Sequence, residues 1–277
     1  MNIHQTAIIH PKAEIEEDVV IGPYCVVGEH VRVKRGSELV SHVCVEGHTE
    51  IGQRCKFFPY SSIGSPPQHL QYQDEPTKVV IGDDNIFREY VTVNRATSFG
   101  GGVTSIGHHN FFMAYVHVAH DCELGNHIVM ANAATLAGHI AIGDHAVIGG
   151  LVGIHQYVRI GEHAMVGGCS AVPQDVPPFM RASGAYPARL YGINSIGLRR
   201  HKFGSQRITI LKEAYRLLFR QQYRLSEATK IVRSQYEHSQ DVLKLVTFIE
   251  SSRRGVSHGG KRGHDGERAT PKRRIED

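Results

Sequence analysis

The segment Tyr115–Cys122, YVHVAHDC, sets His117 and His120 three residues apart and places Asp121 directly behind the second imidazole. The Val and Ala around them suit a strand, and a strand needs no histidine. Two His and an Asp at this spacing could ligate a metal, or could make a general base with an orienting carboxylate. They could also be ordinary surface imidazoles. The chain has 19 histidines, among them His109, His127, His145 and His163 at slots expected to face solvent. The choice depends on what the fold stacks above and below this segment.

A six-residue period sets that stacking. Apolar residues recur at Ile3, Ile9, Ile15 and onward to Ile63, then at Ile81, Phe87, Val93 and Phe99. After a one-residue shift they resume at Ile106 and run to Val172, filling 27 of 27 slots. At 41% apolar content, chance agreement is about one in a billion. Gly follows the apolar residue in 12 slots, as in IGPYCV and IGDDNI, and is expected to supply the turn conformation. Each hexapeptide reads as one short strand and one corner, and three hexapeptides make one triangular coil. Residues i and i+18 should then stack roughly 4.8 Å apart. The period predicts a parallel β-helix of about nine coils over residues 1–180, with loops leaving it near 64–80 and 100–105.

Beyond Val172 a Pro- and Gly-rich stretch ends the β-helix, and residues 181–252 read as a small helical domain. Ile208, Leu211, Tyr215, Leu218 and Phe219 share one helical face. Ser226 and Ser239 look like caps of two further helices, the last with Val242, Leu243, Val246 and Ile249 on one face. Residues 253–277 hold eight Lys/Arg and four Asp/Glu with almost no apolar content, which predicts a disordered basic tail. That tail accounts for the whole net charge of +4, so the body does not read as a nucleic-acid binder. The five cysteines form no CxxC, which suits a reducing cytoplasm. No apolar run is long enough to span a bilayer and no leader-like pattern opens the chain, so neither secretion nor an integral membrane segment is expected.

The stacking of i on i+18 puts His120 one coil from Gly138, with His139 and His155 flanking the same column and His117 in the same coil as His120. Three readings stay open on these residues alone: solvated imidazoles, a zinc site of the kind in β-helix carbonic anhydrases, or a general base facing the Gly138 N–H as oxyanion donor.

Further stretches make the sequence recognisable. HVAHDC, LAGH, IHQ and GLRR occur in that order, with EPTKVVIGDDN, REYVTVNRAT and GGGVTSIG before them and ILKEAYRLLFR after. Over residues 1 to about 250 the chain resembles the UDP-N-acetylglucosamine O-acyltransferases that begin lipid A biosynthesis. The resemblance implies a left-handed β-helix and a cytoplasmic homotrimer with sites between subunits. It implies a 3-hydroxyacyl donor carried on the phosphopantetheine of acyl carrier protein, with no cofactor and no metal of the enzyme's own. His120 would be the general base, Asp121 its orienting partner and Gly138 the oxyanion donor. His117, His139, His155 and Gln156 would line the sugar and pantetheine pocket, and Asn194 and Arg200 would bind the nucleotide. Gly168, with Met165 nearby, would set acyl length, and glycine there would leave room for a longer chain. On their own, Gly168 could be a corner glycine and Arg200 a solvated charge on a helix face.

Four positions depart from that family. His69 and Gln71 stand where Asp and Lys are usual near the sugar, Asn94 where His is frequent, and Ile196 where Glu is usual. The changed pair at 69 and 71 raises a 3-amino sugar nucleotide as an alternative acceptor.

Overall fold

The computed structural model describes residues 2–259. Twenty-six short strands wind in sequence through three faces, so that each strand pairs with the one three places on. The pairing is parallel and mostly joins residue i to i+18, as in Asn2↔Val20, His117↔Thr135 and Gly153↔Ala171. The fold is a left-handed parallel β-helix with nine strands in its second face. The apolar slot points inward: Leu39, Phe57, Phe87, Phe112, Met130, Ile148 and Val166 are fully buried one above another. Stacked pairs keep the coil spacing, with Phe57–Phe87 at 4.6 Å and Phe87–Phe112 at 4.9 Å between ring centroids.

Corner chemistry differs from expectation. Apart from Gly64, with φ 82°, the recurrent glycines do not carry the turn. Left-handed φ falls instead on Asp121, His127, Ala133, His139, His145, Leu151, Tyr157, His163 and Cys169, with φ between 56 and 65°. This region costs a residue with Cβ roughly 1–2 kcal/mol, so stacking must hold it. The glycines are needed for closeness. A Cβ on Gly22 would overlap the Val40 carbonyl, and one on Gly52 would overlap Gly82 in the next coil.

Both loops are displaced from their predicted bounds. Ser62–Ser65, Lys78–Ile81 and Val103–Ile106 are strands, so the excursions run over 66–77 and 95–102. Val79 and Thr104 still point inward and fully buried, which extends the ladders into stretches that Gly and Pro had marked as loop. Phe99 is no core residue; it lies in a short 3-10 turn and is 55% exposed.

The sheet also outlasts residue 180. Met180–Ser183 joins the first face, and Arg189–Ile193 pairs back antiparallel before any helix begins. Helix α1, Ser195–Arg200, was not expected; the Asn194 side chain caps it by accepting from the Gly197 N–H at 3.1 Å. Helix α2, Ser205–Phe219, buries Ile208, Leu211, Tyr215 and Leu218 as the pattern predicts, together with Ala214. Helix α3, Leu225–Gln235, starts after Arg224 without a side-chain cap, so Ser226 lies inside it. Helix α4, Gln240–Glu250, is capped by Ser239 and buries Val242, Leu245, Val246 and Ile249. Residues 253–259, expected in the tail, instead pack on the body: Val256 bridges Asp175, Gly259 bridges Leu190, and Ser257 is buried. The remaining tail, 260–277, lies outside the described residues.

One corner column is a ladder of imidazoles. His109, His127, His145 and His163 stack at 4.8, 4.7 and 4.7 Å, and His201 of the α1 end sits against the last two. Burial, followed by the neighbouring His145, His201 and Lys244, pushes the His163 imidazole down to about 4. His163 is therefore neutral in the fold and gains a proton more readily unfolded. Its contribution is complete above pH 6.5 and is lost as pH falls from 6.5 towards about 4. Allowing for its partial exposure, the loss should be about 2 kcal/mol. Urea midpoints at pH 7 and pH 4.5 check this. His163→Phe, which can continue the stack, should show a smaller drop than wild type.

Candidate active site

The second face ends at a corner where His120 and Asp121 leave the Tyr115–Cys122 coil. Asp121 takes the left-handed turn with φ 59°, which brings its carboxylate back to the ring before it. His120 Nδ1 lies 2.7 Å from Asp121 Oδ2. An Nδ1–H that donates to this carboxylate leaves Nε2 with a free lone pair, the form a general base needs.

The next coil confirms the predicted registry. The His139 N–H donates to the His120 carbonyl at 3.0 Å, which places Gly138 directly over the imidazole. A Cβ on Gly138 would sit 2.5 to 3.0 Å from three His120 ring atoms, so only glycine admits the ring. Gly138 is buried, and among the described residues no acceptor takes its N–H. A donor without a protein partner remains available to an oxyanion.

The second loop holds the carboxylate. The Thr97 N–H donates to both Asp121 oxygens at 3.1 and 3.2 Å, and Thr97 Oγ1 donates at 2.7 Å. Gly100 packs so closely on this carboxylate that a Cβ there would overlap it. Burial acts to raise the Asp121 carboxyl. Hydrogen bonds from His120 and Thr97, with the charge of His139, outweigh it and hold the group below the usual carboxylate range. Asp121 therefore stays ionised beside a buried imidazole. Thr97 and Gly100 were not singled out from sequence; the break in the six-residue period at RATSFGGG was the available signal.

The first loop supplies the roof. His69 meets His120 edge-on with centroids 5.4 Å apart, and Phe99 packs on His69 at 4.9 Å. His139 meets His120 edge-on at 5.1 Å, and its Nε2 is 3.8 Å from Asp121 Oδ2. Burial lowers the His139 and His117 imidazoles, so both favour the neutral form. His117 Nδ1 lies 2.7 Å from Thr92 Oγ1, one coil below.

Buried Arg95, another residue not singled out, ties this loop down. Its fork donates to the Tyr72 hydroxyl at 2.8 Å, the Gly64 carbonyl at 3.0 Å and Asp74 at 3.0 Å. Lysine has no such fork. Arg95→Lys should speed proteolysis within 66–77 and lower stability by about 1–2 kcal/mol, with kcat/KM falling roughly tenfold as His69 loses its seat. Limited digestion and steady-state kinetics check both outcomes.

Residues 175–257 match the family profile described as UDP N-acetylglucosamine O-acyltransferase, domain 2, and residues 1–35 match bacterial transferase hexapeptide repeats. A Thermodesulfovibrio yellowstonii protein named acyl-acyl-carrier-protein–UDP-N-acetylglucosamine O-acyltransferase is 56% identical over 92% of this chain and 98% of its own length. The chain belongs to this O-acyltransferase family. A Syntrophobacter fumaroxidans protein of the same name is 46% identical over 92% of this chain and 99% of its own. The crystal structure of a UDP-N-acetylglucosamine O-acyltransferase from Moraxella catarrhalis superposes with TM-score 0.90 at 41% identity, covering 93% of this chain and all of that one.

For this O-acyltransferase, one protomer brings together only part of the expected set. His120, Asp121, Gly138, His139 and His69 converge, with His117 beside them. His155 and Gln156 are exposed on the same corner one coil beyond Gly138, with no hydrogen bond or ring contact to His120 among the described residues. Gln71 is exposed, and its backbone N–H donates to His69 Nδ1 at 3.2 Å. Asn94 is buried and turned away: it donates to the Ser65 and Pro66 carbonyls of the loop stem. Asn194 caps α1 and donates to the His163 carbonyl at 3.0 Å, so it and exposed Arg200 and Ile196 belong to the histidine-ladder corner. Gly168 precedes the left-handed Cys169 on the third corner, and half-buried Met165 lies on the first face. Helix α1 and Gly168 thus stand on corners other than that of His120.

Proposed function

We propose that this enzyme transfers a 3-hydroxyacyl chain from acyl carrier protein to the 3-hydroxyl of UDP-N-acetylglucosamine, the first step of lipid A biosynthesis. The observation that carries the mechanism is the His120 imidazole, bonded to Asp121 through Nδ1 and seated against Gly138. His120 Nε2 takes the proton of the sugar hydroxyl as its oxygen bonds to the thioester carbonyl carbon. The oxyanion that forms meets the Gly138 N–H. Collapse breaks the C–S bond, and the proton on His120 passes to the departing phosphopantetheine thiol. Asp121, ionised in the resting fold, stabilises the imidazolium between these steps. No metal or cofactor takes part in any of these steps.

The acyl and pantetheine chains would run along the second face. Its outward residues above His117 are small, Thr135, Gly153 and Ala171, and they lead from the His120 corner towards the Gly168 corner. The nucleotide-binding role of Asn194 and Arg200 then requires a second copy of the chain to bring its ladder corner to His120, which fits a homotrimer with sites between subunits. No helix among the described residues is long and apolar enough to cross a membrane, which suits work in the cytoplasm.

The seat of His69 favours a second acceptor reading. An imidazole 5.4 Å from His120, in place of a carboxylate, removes a group that would hold a 3-amine as unreactive ammonium. A 3-amino sugar nucleotide would then yield an amide by the same steps. Mass spectrometry of products from a panel of acyl donors, offered with the 3-hydroxy and the 3-amino acceptor, tests both readings. Ester formed at the higher kcat/KM supports the first. Preferential amide supports the second, and free acid alone contradicts both.

A further inference from the structure

We propose that His120, Asp121 and His139 form an inhibitory site for a divalent transition-metal ion, with zinc the best chemical match. One ligand atom from each residue lies within 4.8 Å of the others. His120 Nδ1 and His139 Nε2 stand 2.7 and 3.8 Å from the same Asp121 oxygen. Tetrahedral zinc with bonds of about 2.0–2.1 Å holds its ligand atoms roughly 3.3 Å apart, so the two contacts to Asp121 need to change by roughly 0.5 Å each and the separation of the two imidazoles by at most about 1.5 Å. Two imidazoles and a carboxylate suit zinc, cobalt(II) or nickel(II), and water can take the fourth position.

The site is built as metal sites are. The three side chains are 11%, 0% and 14% exposed, so little hydration opposes their use as ligands. Thr97 bonds the carboxylate through both its N–H and its hydroxyl and fixes its direction, as outer partners do around metals. Asp121 is buried, and among the described residues no Lys or Arg pairs with it. Its only ion-pairing partners there are the His120 and His139 imidazoles, which carry charge only when protonated, and this leaves the pocket short of positive charge.

Occupation would switch the tautomer of the base. In the active arrangement the proton sits on Nδ1 and Nε2 is free. Zinc on Nδ1 moves that proton to Nε2, the atom that must accept the proton of the acceptor. The imidazole remains neutral and loses its function without leaving its place. Bound sugar nucleotide and metal would also exclude each other in this corner. This inhibition rests on the function proposed above, whereas binding of the metal does not.

The test uses untagged full-length protein freed of metal with a chelator, first by zinc equilibrium dialysis without substrate and then by acyl-transfer assay. One zinc per chain at micromolar free metal is expected. Affinity should fall at least tenfold in His139→Ala and, as an independent check, in His120→Ala, each shown by thermal melting to be folded. His127→Ala, in the exposed imidazole ladder, should bind as wild type does. Cobalt(II) should give the intense visible absorption of a tetrahedral ion, lost in the same two variants. In the assay micromolar zinc should inhibit, chelator should restore the rate, and magnesium should have no effect. Zinc that binds equally to wild type and both site variants, or that is lost in His127→Ala, overturns the proposal. If zinc binds as described but wild type transfers no acyl group, the functional reading falls and the metal site stands.

Discussion

His120→Ala should lower kcat/KM for acyl transfer by 10²–10⁴-fold, about 3–5 kcal/mol of transition-state stabilisation. Attack by a neutral hydroxyl on a thioester is slow unless its proton leaves as the C–O bond forms. When Nδ1–H donates to Asp121, Nε2 has a free lone pair and an ionised partner behind its ring. Thr97, Gly138 and the rest of the coil remain in His120→Ala, so some catalysis by positioning should survive. Thermal melting should move little. His120 lies at a corner, outside the column of apolar side chains that fills the prism, and its removal opens a space to the site and leaves that core intact. Asp121 loses one hydrogen bond but retains those from Thr97. A lowered kcat at unchanged KM would place the loss in the chemical step.

Gly138→Ala should cost at least about 100-fold in kcat/KM, although it adds only a methyl group. Gly138 does not have the positive φ that would make alanine strained. The damage comes from space: the new carbon would meet His120 Cε1 at 2.5 Å, Nε2 at 2.8 Å and Nδ1 at 3.0 Å. The ring must move, and with it goes the 2.7 Å bond to Asp121 that fixes its tautomer. Alanine retains the N–H, so the oxyanion donor is present in both proteins. Kinetics at saturating acyl donor, with far-ultraviolet dichroism to show the β-helix intact, check this outcome.

The six-residue period carried most of the architecture, because each slot reports directly whether a side chain faces inward. The stacking of Gly138 on His120 followed from counting three hexapeptides along the chain. Signals that are not periodic were harder to read. Gly after Ile looked like a turn residue, yet its neighbours show that it is there for coil-to-coil contact while His, Tyr and Asp take the left-handed corner. Thr97, Gly100 and Arg95 act from loops whose path no period encodes, although the break at RATSFGGG marked the place. Asn194 shows a different limit. Motif matching marked it for nucleotide binding, and within one protomer its side chain is occupied by the cap of α1 and the His163 carbonyl. Residues 253–259 look like a solvated tail by composition, yet Val256 finds an apolar seat beside Asp175 that only the folded body creates.

The central claim is that His120 and Gly138, in successive coils, act as one unit. The most direct measurement is kcat/KM for wild type, His120→Ala, Gly138→Ala and the double variant. With the imidazole already gone, the methyl group at 138 fills empty space. The double variant should therefore match His120→Ala within about threefold, a coupling of at least about 2–3 kcal/mol against the separate losses. If Gly138→Ala costs the same factor whether or not His120 is present, the two groups act independently and the account is wrong.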